Sequence, residues 1–150
     1  MVYNLNNKKA YHFLISRIEK IDSKTIPQWG TMNPAQMMAH CAEIQEATNG
    51  KKINSPFFLK LFMPIIKKMV VNGKYKKNTK THPAFKQINV HGFDEEKKRL
   101  LTALKIFYLT EPSQMKLIKH SFFGFMTNDE KGQAMYKHLD YHLKQFGILL

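Results

Sequence analysis

The stretch TNDEKGQAMYKHLDYHLKQFG, residues 127–147, decides the fold. It opens on Thr127 with Glu130 three residues later, the spacing at which a hydroxyl and a carboxylate cap the first turn of a helix reciprocally. It closes on Gly147, the residue type that tolerates the left-handed conformation ending a helix. Between them Met135, His138, His142 and Phe146 (or Gln145) recur at three- and four-residue spacing, which predicts a helix over 128–146 with both imidazoles on its inward stripe. Two inward histidines one turn apart are either a metal site or two hydrogen-bonded core residues.

Outward from that helix, the rest of the chain is also helical in pattern. Tyr11, Leu14, Ile15, Ile18 and Ile21 mark one apolar face over 7–21. Asn33 followed by Pro34 reads as an N-cap with proline at the first helical position, so a second helix is expected from 34 to about 49, stopped by Gly50. Asp94, Glu95 and Glu96 open a third, whose positions Leu100, Leu101, Leu104, Phe107 and Tyr108 keep helical spacing until Pro112. In SPFFLKLFMPIIKKMVV, Pro64 is expected to kink or end a helix, leaving an irregular excursion. Residues 71–92 read as a long connection and a candidate lid. Four main helices with long connections and no strand alternation predict an all-α, antiparallel four-helix bundle filling one domain over 1–150.

Composition narrows the function. The 150 residues are 43% hydrophobic, with eleven Phe and nine Met, which argues against disorder. The apolar run FFLKLFMPII is broken by Lys60 and Pro64, so no membrane span is expected. Nothing at the N-terminus resembles a secretory leader, and a cytoplasmic location is expected. The single cysteine, Cys41, cannot form an internal disulfide and reads as a small buried hydrophobe. The net charge is +13, and ten lysines lie between Lys51 and Lys86 with no acidic residue among them. Such a segment either serves solubility or attracts an anion. Only Arg17 and Arg99 could grip bases bidentately, so sequence-specific nucleic-acid reading is not expected.

A third histidine joins the first two. On the second helix the inward row is Met37, His40 (with Cys41) and Ile44, so His40 faces the same interior as His138 and His142. Buried imidazoles need partners for both ring nitrogens, and a shared ion satisfies several together. Gln36 and Gln145 flank these histidines and could hold them by hydrogen bonds. Tyr141 either borders the pocket or packs, with packing preferred; His12 is expected to be structural, and His82, His91 and His120 to lie in loops, solvated or capping turns, with a place in the pocket wall as the alternative for His120. No phosphate loop, serine triad or catalytic carboxylate pair stands out.

The stretches PQWGTMNPAQMMAHC (27–41), HSFFGFMTNDE (120–130) and KHLDYHLKQFG (137–147) resemble the DinB/YfiT-like superfamily, a branch with a tryptophan-glycine turn before the second helix. The likeness implies a four-helix bundle in which His40, His138 and His142 bind a divalent metal, zinc or nickel, with Trp29 packing before the second helix. Where relatives often read H-x-x-H-H, this chain has Tyr141 directly before His142. The resemblance implies a metal-dependent enzyme, with thiol-dependent S-transferase or hydrolase chemistry on a small substrate, anionic or a thiol. A homodimer is the alternative to a lone chain. The rival reading is a non-enzymatic binding or stress-associated protein whose lysine-rich segment docks an acidic partner.

Overall fold

The computed structural model describes residues 3–53, 62–73, 75–77, 87 and 92–149. These form six helices: α1 (Lys8–Glu19), α2 (Pro34–Thr48), α3 (Met63–Asn72), α4 (Phe93–Leu109), α5 (Pro112–Met115) and α6 (Asn128–Gln145). The described residues are all-α, with a single isolated bridge between His120 and Gly124. No helix among them is long and apolar enough to cross a membrane.

The helix ends follow from their caps. Asn33 and Gln36 form a reciprocal capping box at the start of α2, and Thr127 and Glu130 form one at α6, so each helix's orphan N–H groups find side-chain oxygens. Past α6, Gly147 adopts φ 75°, and the Ile148 N–H donates to Leu143 O at 2.9 Å, the bond that closes a left-handed cap.

Pro64 sits in the first turn of α3, where its missing N–H would have had no intrahelical partner; the part of the expected excursion before Phe62 lies outside the described residues. The connection expected over 71–92 accordingly starts later, since Val71 and Asn72 belong to α3. Likewise, the loop expected after Pro112 contains the short α5. The buried Lys131 ammonium donates to the Met115 and Ile118 carbonyls just beyond it.

Helix α2 is buried on nearly all sides and packs most extensively on α4, while α6 is touched by α1, α2 and α3. Leu14, Ile18, Met38, Leu100, Leu104, Phe107, Leu139 and Leu143 belong to one continuous core. Both arginines are consumed inside the fold. Arg17 is buried, with its guanidinium donating to Asp140 Oδ1 at 2.7 Å and Ile148 O at 2.8 Å. Arg99 binds Glu43, Glu46 and Glu96, tying α4 to α2, and these carboxylates hold its guanidinium firmly protonated.

The lysine-rich segment is less uncompensated than its local sequence implies. Lys51 pairs with Glu43 and Glu46 at the end of α2 just before it, and Lys67 with Glu130, a carboxylate supplied by a distant part of the chain. Lys60, Lys74, Lys80 and Lys86 lie outside the described residues, as do His82, Pro83 and His91.

Candidate metal centre

Helices α2 and α6 bring His40, His138 and His142 together. Each is 3–5% exposed, and their ring centroids are 4.7–5.0 Å apart. One nitrogen from each ring lies within 4.8 Å of the others, and no other group of three or more potential ligands converges among the described residues. His40 Nε2 and His138 Nε2 face each other at 3.1 Å. Two imidazoles bound to one tetrahedral ion at about 2.0–2.1 Å would place their nitrogens about 3.3–3.4 Å apart, so this pair needs only a small adjustment to share one. The donor set fits a divalent ion.

The tautomer of His142 can be read from its partners. Gln145 Nε2 donates to the Trp29 carbonyl at 2.8 Å, which orients the amide so that its Oε1 meets His142 Nδ1 at 2.8 Å. A flipped amide would set two oxygens against each other. His142 therefore carries its proton on Nδ1 and leaves the Nε2 lone pair for a ligand role. The same amide fixes the approach of the 22–33 loop: Gly30 has φ 82°, and a Cβ there would come 2.5 Å from Gln145 Nε2. Only glycine fits that turn.

Electrostatics favour neutral ligands. Burial, then the neighbouring His142 and His40, hold His138 well below the usual histidine range; burial and His40 push His142 down to about 3. Both present lone pairs at neutral pH without first losing a proton.

An aromatic layer lies against the triad. Tyr141 meets His142 edge-on at 5.0 Å and Trp29 at 6.2 Å, while Tyr75 lies 5.9 Å from His138 and 5.3 Å from Tyr141. Lys77 rests its ammonium 4.7 Å from the Trp29 ring centroid. Tyr141 thus packs, as expected, but also borders the histidines. Lys77 belongs to the lysine-rich segment expected to serve solubility or attract an anion; Tyr75 carries no such expectation, and its only hint is one aromatic set among the lysines of GKYKKN. Both lie within the stretch expected as a candidate lid.

The remaining candidates have other places and partners. Gln36 serves the cap of α2 and donates to Gln87 O, so it is not a partner of the histidines. His120 is buried rather than solvated. Its Nδ1 accepts from the Phe122 and Phe123 N–H groups at 3.1 and 3.3 Å, which caps a turn, and burial lowers its pKa to about 4. Cys41 is buried with its thiol pushed up by desolvation, and its Sγ donates to Met37 Sδ. His12 lies exposed beside Tyr11 and Tyr108.

Fold and site together define an all-helical protein with three buried imidazoles at one point. Residues 8–147 match the family described as Protein of unknown function (DUF1569), and the chain belongs to that family. Comparison with curated proteins and with solved structures gives no match.

Proposed function

We infer that the chain is a metal-dependent enzyme whose divalent ion is held by His40, His138 and His142. The observation that carries this reading is the convergence of three buried imidazoles, one nitrogen from each lying within 4.8 Å of the others. Three nitrogen donors suit zinc or nickel, and three protein ligands leave room for a further one. When bound, such an ion supplies Lewis-acid chemistry, acidifying a coordinated water or thiol near neutral pH.

The chain's own residues prepare that site. Gln145 fixes the His142 ring, burial keeps His138 and His142 unprotonated, and Tyr75 and Tyr141 shield them from bulk water. The long helices α1, α2, α4 and α6 share one core, which supports reading them as an antiparallel four-helix bundle of the DinB/YfiT-like kind. Thiol-dependent S-transferase or hydrolase chemistry on a small substrate in the cytoplasm follows from that likeness. The rival, docking of an acidic partner by the lysine-rich segment, has less support because Lys51 and Lys67 already have carboxylate partners.

Elemental analysis after exposure to zinc and nickel tests the reading. About one ion per chain is expected in the wild type, with loss in His138→Ala and weakening in His40→Ala. Equally low metal in the wild type and His138→Ala would refute it.

A further inference from the structure

We propose that Trp29, Tyr75, Lys77 and Tyr141 form the ligand-recognition wall of the histidine centre, and that this wall selects a small carboxylate with an apolar body. The proposal rests on the metal-centre reading and adds a ligand class to it.

Position comes first. Helices α2 and α6 supply the ligands from within, so a small molecule must arrive past side chains that are not part of the two helical backbones. Among the described residues, Tyr75 is the group from outside those helices whose ring meets a histidine of the triad, at His138. Tyr141 joins it to Trp29, making three aromatic rings in sequence from His138 to the edge of the site. Aromatic faces and edges favour an apolar body over a hydrated one.

Charge comes second. Lys77 is exposed, its ammonium lies on the indole, and no carboxylate among the described residues pairs with it. A cation held on a ring face keeps most of its charge available to an incoming anion. The nearest acidic side chain in sequence to the ligands, Asp140, is already taken by Arg17 and Lys144. A cationic ligand would find no counter-charge in this wall.

An unmet hydrogen bond is the third and independent observation. Trp29 Nε1 is buried with no acceptor. A buried N–H without a partner is costly, and the groups left orphaned in a folded protein are commonly those a ligand completes. A carboxylate at the wall offers acceptor oxygens for the indole N–H and a negative charge for Lys77, while its organic part lies on Tyr75 and Tyr141. The ion's own charge adds to the same preference.

The test uses the full chain loaded with Co2+, whose visible absorption reports changes around the ion. Phenylacetate and its uncharged counterpart 2-phenylethanol are titrated into the wild type, Lys77→Gln and Trp29→Phe. The wild type should bind phenylacetate at least about ten-fold more tightly than the alcohol. Lys77→Gln should weaken phenylacetate roughly two- to five-fold, the scale of one exposed ion pair, and leave the alcohol unchanged. Trp29→Phe, which keeps a ring but removes the N–H, should weaken phenylacetate by a similar or larger factor. Cobalt stoichiometry should be the same in all three.

If cobalt binds but phenylacetate is no tighter than the alcohol, or is unaffected by both substitutions, the recognition wall is refuted and the metal centre stands. If the wild type takes up no cobalt, the metal reading falls and this proposal with it.

Discussion

Three buried, neutral histidines should make the metal-free protein sharply acid-sensitive, well above the pH where carboxylates protonate. His120 is pushed down to about 4, His142 to about 3, and His138 well below the histidine range, each chiefly by burial. In the unfolded chain each returns to about 6.5. As pH falls below that value the unfolded state binds protons that the folded state refuses, so stability present above about pH 6.5 is lost on acidification until the folded pKa values are reached. For one such histidine the loss between about pH 7.5 and 5 is about 2 kcal/mol, so the three together remove about 6 kcal/mol. A domain of this size has roughly 5–15 kcal/mol in all, so most of its stability is at stake. Urea unfolding of the chelator-treated protein across that range measures it. His120→Phe should reduce the loss by about a third without touching the triad. A loss under about 2 kcal/mol for the metal-free wild type would refute the burial of these groups as neutral imidazoles.

Gln145→Ala should lower metal affinity about 10- to 100-fold in competition with a chelator, because it frees the His142 ring and strands the Trp29 carbonyl. Asp140→Ala should destabilise by about 3–5 kcal/mol in urea, since it leaves the Arg17 guanidinium buried without its counter-charge. Chelation at neutral pH should leave far-ultraviolet circular dichroism nearly unchanged, because the apolar core does not depend on the ion; loss of most helical signal would make the metal structural.

The parts of the fold legible in the sequence are those where a local rule has no competitor. The capping box at Thr127, the glycine at 147 and the stripe between them predict α6 almost to the residue. At Pro64 the sequence pattern leaves its position open, because a proline looks the same in the first turn of a helix as in its middle; the structure places it in the first turn of α3. Gln36 and Gln145 look equivalent in the sequence, each within four residues of a histidine of the triad. The difference was visible: Gln36 stands three residues after Asn33, where a backbone N–H competes for its amide, and Gln145 has no such local partner. The placement of Tyr75 and Lys77 and the Glu130 carboxylate that pairs with Lys67 could not be found this way. Their contacts join segments far apart in the chain, and neither periodicity nor a running charge count registers them.

What sets the imidazoles' aim is the rotation of α6 about its own axis, and the helix is held from the side opposite its two histidines. Asp140 lies two residues from both His138 and His142, so at 100° per residue it projects roughly opposite them. There it meets Arg17 of α1, whose guanidinium also takes the Ile148 carbonyl just past the Gly147 cap. A turn of α6 by even one residue position would take both histidines off the interior and break this buried pair at once. The anchor explains why an ionic group sits in an otherwise apolar interface. A well-packed apolar pair is often equally stable, but it would slide more readily, and the geometry of the three histidines tolerates little sliding. Replacing Arg17 and Asp140 together with Met and Leu separates the two roles: stability should be largely kept while metal affinity falls. Unchanged affinity in a stable double variant would show that packing alone orients the helix.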